Sequence, residues 1–180
     1  MPTLIWLPEL IEDAHNFKPF FTRPDNKITD IRNVWLLNYR NQGHSDHHDS
    51  YDMDEMSADI IRWMDEHKIT MATIGGHGFG AKVAAATAIA NLDRFTGVIQ
   101  LEGGPLDHRF HEAYQELASY IHFAASMKLA TMDVTQAFKA IEANITCPKW
   151  AKIFKQGINH ESATLSWKFN VQDLNKNCKK

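Results

Sequence analysis

The chain is short of cysteine, of charge of one sign and of long apolar runs, and each shortage removes a class of protein. It has two cysteines in 180 residues, Cys147 and Cys178. Their spacing fits no metal or redox motif, and the scarcity suggests a reducing compartment. The formal net charge is −3, so the electrostatic footprint of a nucleic-acid binder is missing. No run of about 18 apolar residues occurs, so no transmembrane helix is expected. Internal repeats and low-complexity segments are absent as well. Met1-Pro2 leads straight into Thr3-Leu4-Ile5-Trp6-Leu7 with no basic or hydrophobic leader. No presequence is therefore expected, which leaves an internal signal as the route for any import.

What is present is ordinary for a soluble globular protein. Apolar residues make up 44% and charged residues 23%, and this length suits one domain with a real core. The pattern alternates strand and helix. Thr3–Leu7 reads as a strand, Asn16–Thr22 as a short helix stopped near Pro24, and Asn33–Tyr39 as a second strand. In Met53–His67 the apolar residues Met56, Ile60, Trp63 and Met64 recur at helical spacing. Asp52 and Asp54 favour its N-terminus. Met71–Ile74 predicts a third strand, Gly80–Asn91 a helix and Gly97–Leu101 a fourth strand. Strands separated by helices imply a parallel sheet with right-handed crossovers. After Pro105 the pattern is mostly helical, over His108–Lys128, Val134–Ala143 and Pro148–Gln156. Thr164–Asn170 reads as extended, and the polar tail Asn175–Lys180 as frayed. The division expected is residues 1–105 as a sheet core and 106–180 as a helical, cap-like region packed on it, in a single domain.

The most informative stretch is Ile74-Gly75-Gly76-His77-Gly78-Phe79-Gly80. A strand, a sharp Gly-rich turn and an Ala-rich helix are the context of G-x-S-x-G, which lifts a nucleophilic serine above a parallel sheet. Here the nucleophile position is Gly78, which has no side chain. A phosphate cradle at Gly75–Gly80 is disfavoured, because the spacing is not G-x-G-x-x-G and the turn follows the third strand. His77 reads more readily as packing than as a catalytic survivor, since no partner base or nucleophile is identifiable. His44-Ser45-Asp46-His47-His48-Asp49 has ligand chemistry for Zn²⁺ but reads better as a polar loop. Tyr114, Tyr120, Phe123 and Phe138 read as core, with an aromatic-lined pocket as the alternative.

Several short motifs in order resemble the small-esterase branch of the α/β-hydrolase superfamily, the group that includes abhydrolase-domain-containing protein eleven. Leu7-Pro8-Glu9-Leu10-Ile11 with Asn16-Phe17 sits where the family has L-H-G-[LF]-[LF] and N-[FW]. Asn38-Tyr39-Arg40-Asn41-Gln42-Gly43-His44-Ser45 is similar to D-x-R-N-H-G-x-S. Ser57-Ala58-Asp59-Ile60 resembles [ML]-A-x-D-[VIL], and Gly76-His77-Gly78-Phe79-Gly80-Ala81-Lys82 resembles G-H-S-M-G-G-K. Gly104-Pro105-Leu106-Asp107 and Trp167-Lys168-Phe169-Asn170 resemble the segment after strand six and a cap element. The resemblance implies a partial α/β-hydrolase fold with about four parallel strands, the family's three to six in spatial order four-three-five-six, flanked by helices and followed by a C-terminal helical cap.

The departures shape the functional expectation. By resemblance, the oxyanion hole would use the backbone N–H groups of Leu10 and Phe79. The flanking His-Gly pair has become Pro8-Glu9, and another small position has become Glu12. By resemblance, the family's acid and base lie on loops after strands seven and eight, and those strands are not expected in this sequence. No catalytic residue, cofactor-binding residue or metal ligand is therefore assigned, and no enzyme activity is expected. The leading reading is a pseudoenzyme serving as a structural or interaction subunit of a larger complex, mitochondrial by resemblance and otherwise cytoplasmic. The alternatives are half of a split esterase and a small-molecule or acyl-binding module. An open sheet edge near Val98, Ile99 and Leu101 is expected to be covered by other protein subunits, or by the cap. Peripheral contact with a membrane complex is compatible with this, and nucleic acid is not.

Overall fold

The computed structural model describes residues 1–104 and 112–178. A four-stranded parallel sheet has the order β2-β1-β3-β4, with β1 Thr3–Leu7, β2 Asn33–Leu36, β3 Ala72–His77 and β4 Phe95–Leu101. This is the spatial order expected for the family's strands four-three-five-six. β1 is central, and Leu4, Ile5, Trp6 and Leu7 are all buried. A strand packed on both faces needs a continuous apolar run rather than alternation, which is what Thr3–Leu7 supplies.

Two layers cover that sheet. On one face Ile5, Leu7 and Ile74 pack with Met56, Ile60 and Met64 of α3 (Met53–Glu66) and with Val83, Ala84 and Ala88 of α4 (Phe79–Ala90). On the other face Leu4 and Trp6 pack with Phe21 of the short helix α1 (Lys18–Phe21). A second short helix, α2 (Ile28–Ile31), precedes β2. The α3 N-terminus is capped by Asp52, whose carboxylate accepts the Asp54 N–H at 2.9 Å. Arg40 ties the loop after β2 to α3 through Asp59 at 2.7 Å and through Glu55.

Several boundaries differ from the sequence expectation. The first helix is split into a 3₁₀ turn, Ala14–Phe17, and α1. β2 stops at Leu36, three residues short of Tyr39, although the Leu37 N–H still donates to the Trp6 carbonyl at 3.0 Å. β3 runs on through Gly75, Gly76 and His77, where the sequence predicted a turn after Ile74. Glycine is a weak strand former on its own, but Gly75 and Gly76 pair with β1 on one side and β4 on the other, and His77 pairs with β4. The turn is compressed into Gly78 alone.

The chain divides into two compact units, Met1–Asp46 with Ser50–Pro105 and His47–Asp49 with Leu106–Lys180. The second is helical: α5 (Glu112–Ser126), α6 (Val134–Asn144), α7 (Pro148–Gln156) and α8 (Val171–Asn177). Its core includes Ile121, Ile141, Phe154 and Phe169, all under 3% exposed. A two-residue antiparallel pair, β5 (Ile158–Asn159) with β6 (Ser166–Trp167), is what remains of the extended segment expected at Thr164–Asn170. The expected start of the long helix at His108 and the Pro105-Leu106-Asp107 motif lie outside the described residues. The tail expected to fray is helical as far as Asn177.

Candidate functional site

The turn between β3 and α4 has the geometry of an elbow. Gly78 has φ 53° and ψ −114°, a backbone that L-residues adopt only under strain. Its neighbours make the close approach possible. A Cβ on Gly80 would lie 2.2 Å from the Pro8 carbonyl oxygen, and one on Gly76 would lie 2.5 Å from the Gly80 backbone. The loop after β1 is thereby pressed against the first turn of α4. That loop is itself strained. Ile11, β-branched and buried, sits at φ 63° in a turn where the Glu12 N–H donates to the Glu9 carbonyl at 3.1 Å.

The two N–H groups singled out from the sequence do converge. Both donate to one oxygen, Oε1 of Glu9, at 2.6 Å from Leu10 and 2.8 Å from Phe79. The Phe79 distance is one at which a hole of this kind holds an oxyanion, and the Leu10 distance is slightly shorter. The sequence implied a damaged hole; the structure has both donors in place and the hole filled by a side chain of its own loop. The other oxygen, Oε2, occupies the volume of the missing nucleophile. A Cβ built on Gly78 would lie 1.5 Å from it. Glu9 and any side chain at residue 78 are mutually exclusive in this arrangement.

Around this carboxylate lies a cluster of charge. His77, whose side chain is 11% exposed, places Nε2 2.9 Å from Glu102 Oε2 and Nδ1 3.6 Å from Glu12 Oε2. The contact to Glu12 is longer than a hydrogen bond and acts as an ion pair. Glu12, then Glu102 and the more distant Glu9, hold the imidazolium and raise its pKa from 6.5 to about 9, against the opposing effect of burial. Phe17 meets the His77 ring edge-on at 5.8 Å. Burial raises the Glu9 carboxyl above its ordinary value, and the Phe79 and Leu10 N–H groups offset part of that rise. His77 is thus a charged partner of acidic side chains rather than a neutral packing residue. The signal for it in the sequence was the unusual acidity of the loop, Glu9 with Glu12.

The other candidate groups separate. In the His44–Asp49 stretch, the Ser45 hydroxyl donates to the Asn38 carbonyl at 2.6 Å, and the Asn41 N–H donates to the Asp46 carbonyl at 3.0 Å. Asn38 in turn accepts the Ala14 N–H at 2.8 Å and donates to Asp13 at 3.1 Å. Asp13 sits below its ordinary value: burial pushes it up, but the His15 N–H and the Asn38 and His15 side chains more than offset this. Among the described residues, no group of three His, Cys, Asp or Glu side chains is placed to hold a metal. Cys147 and Cys178 are unpaired, and burial raises the Cys178 thiol. In the second unit Tyr120 is core, donating to Glu116 at 2.5 Å and meeting the Thr146 hydroxyl at 2.9 Å. Phe138 lines a cavity of about 600 Å³ with Ile145, Ala151, Lys152 and Lys155.

A parallel sheet, a glycine-framed elbow and a convergent N–H pair define the α/β-hydrolase fold, and comparison with known proteins agrees. A marine microorganism esterase superposes with a TM-score of 0.86 at 20% identity, covering 98% of this chain and 67% of that one. E-2-(Acetamidomethylene)succinate hydrolase gives 0.73 at 16% identity, covering 99% and 65%. In sequence, the chain is 24% identical over 112 residues to ethanol acetyltransferase 1 of Wickerhamomyces anomalus, covering 61% of this chain and 29% of that protein. It is 25% identical to ethanol acetyltransferase 1 of Cyberlindnera fabianii, again over 61% of this chain and 33% of that protein. The chain thus spans about a third or less of the length of these curated relatives. No family model matches it.

Proposed function

We propose that this chain is a non-catalytic α/β-hydrolase-fold module, a pseudoenzyme that serves as a structural or interaction subunit of a larger, mitochondrial protein complex. The observation that carries the reading is the Glu9 carboxylate filling both the oxyanion hole and the place of the nucleophile above Gly78. Ester hydrolysis and acyl transfer by this fold both need a nucleophile at the elbow and an empty hole for the developing oxyanion. Neither requirement is met in this arrangement, and supplying a further catalytic segment restores neither. That weighs against a split esterase.

The interaction half of the proposal rests on β4. Its outer residues Val98, Ile99 and Leu101 are 42%, 43% and 47% exposed, and β3 is its pairing partner in the sheet. An apolar parallel edge of this kind templates association unless another polypeptide covers it. A small-molecule or acyl-binding role keeps one observation in its favour, the cavity between α6 and α7, whose volume falls in the range of ligand sites.

Activity-based labelling with a fluorophosphonate tests the catalytic half directly. The expected result is no adduct on this chain, alone or in its native assembly. An adduct mapped to a residue of the elbow would overturn the reading.

A further inference from the structure

The N–H pair of Leu10 and Phe79 is a finished anion site with its ligand in place. One donor comes from the loop after β1 and the other from the first turn of α4. A helix N-terminus favours negative charge through its unpaired N–H groups and its dipole. A carboxylate seated on two such donors at 2.6 and 2.8 Å makes charge-assisted bonds, about twice as strong as neutral ones. The seat is also shaped for this ligand. Gly78 leaves open the volume that Oε2 fills, and any Cβ there would close it.

We propose that the hole is a retained anion-binding site held closed in cis, with the Glu9 carboxylate as its resident ligand and small monocarboxylates as the class of molecule it admits once Glu9 is removed. The tether keeps the site closed, because an intramolecular ligand competes at an effective concentration in the millimolar range or above. Free carboxylates therefore do not enter the wild-type protein. The loop gains in return a fixed attachment to the elbow, joining the end of β1 to the start of α4. The inference rests on the non-catalytic reading, yet it makes a claim about binding that can be tested without turnover.

The test follows the backbone amide resonances of Leu10 and Phe79 by NMR. In the wild type both are expected to move together through one titration, that of Glu9, and to ignore millimolar acetate. Glu12, His77 and Tyr39 face the same cluster, and Glu102 acts on it through His77, so the shared transition is assigned to Glu9 by its loss in Glu9→Gln. Glu9→Gln should abolish the shared titration while leaving both amides bonded. In Glu9→Ala both amides should respond saturably to acetate and not to chloride at matched ionic strength. Amides that share no titration in the wild type, or that respond no more to acetate than to chloride in Glu9→Ala, would overturn the proposal. Were Glu9→Ala unable to fold, the wild-type titration and Glu9→Gln would decide it. An esterase activity found in the chain would sink the non-catalytic reading and leave these resonances to report on the ligand independently.

Discussion

Residue 78 and residue 9 exclude each other, and this makes their coupling measurable. Gly78→Ala adds a Cβ to a backbone at φ 53° and drives it into the Glu9 carboxylate. The strain of such a conformation is about 1–3 kcal/mol, and the overlap adds to it. In a Glu9→Gly background only the strain remains. A double-mutant cycle by urea denaturation should therefore show a coupling of about 0.5–3 kcal/mol, with the pair less damaging than the sum of the singles. Additive effects would mean that Glu9 does not occupy the elbow in solution. For the same reason Gly78→Ser alone should yield no efficient esterase, because the new hydroxyl would share its volume with Glu9; p-nitrophenyl ester turnover at a rate ordinary for hydrolases of this fold would contradict that. His77 adds a pH signature. Its folded pKa of about 9 exceeds the ordinary 6.5. The stabilisation from its ion pairs with Glu12 and Glu102, and from the more distant Glu9, is thus complete below 6.5 and lost as pH rises through about 9. Denaturation midpoints in His77→Gln should lose that alkaline slope, and an unchanged slope would place the imidazole outside the cluster. Glu9 runs in the same direction as His77, against the usual behaviour of a carboxylate. Its folded value is raised by burial, so ionising it costs stability as pH rises through that value.

Among the elements, the contact between the β1 loop and α4 is the one on which the site depends. Gly80 lets the first turn of α4 approach the backbone at Leu7 and Pro8, where an added Cβ would lie 2.7 and 2.2 Å from their carbonyl oxygens. Backbone cannot yield as a flexible side chain does, so Gly80→Ala should destabilise the fold by about 1–3 kcal/mol or more, measured by thermal or urea unfolding. A neutral result would mean that α4 sits further from the loop. These elements were legible in the sequence to different degrees. β1, α3 and α4 announced themselves by apolar run or helical period, and the elbow by its three glycines. The Gly75–His77 end of β3 did not, because its strand character comes from its ladder partners, on both sides of Gly75 and Gly76 and on the β4 side of His77, rather than from its residues. Nor did α8, whose polar sequence hides two buried anchors, Val171 and Leu174, and an Asn170 cap that accepts the Asp173 N–H at 3.3 Å. Within the site, Gly78 could be read in advance, and the N–H pair and the change to Pro8-Glu9 beside it by resemblance. That the Glu9 carboxylate would fold back onto its own loop's N–H could not, because it depends on the turn at Ile11 and on the volume left by Gly78.

For the molecule as a whole the question is what the sheet does with its edges. β2 is four residues long, and its Trp35 lies against Trp63 and His67 at 5.2 and 5.3 Å. A short edge with bulky cover is poorly suited to recruiting another strand. β4 is seven residues long, and Val98, Ile99, Gln100 and Leu101 are all exposed. Ile89, in the last turn of α4, and Leu92, in the turn between α4 and β4, are also exposed, at 73% and 78%. A specific, stable interface covers roughly 1,200–2,000 Å² in total, and a strand with flanking apolar side chains is a natural centre for one. Ile99→Lys would place an unpaired charge in such an interface, which is strongly destabilising once desolvated. From an assembly that covers this edge, as proposed, this variant should be released while its elbow and core stay folded, as judged by circular dichroism. Sedimentation velocity of the isolated wild-type chain at micromolar concentration is the complementary measurement. Self-association or dependence on a partner is the expected outcome, with Ile99→Lys shifting the isolated chain towards monomer. A wild-type chain that sediments as a soluble, folded monomer, with β4 open to solvent, would show that this edge needs no cover and would remove the physical support for the subunit role.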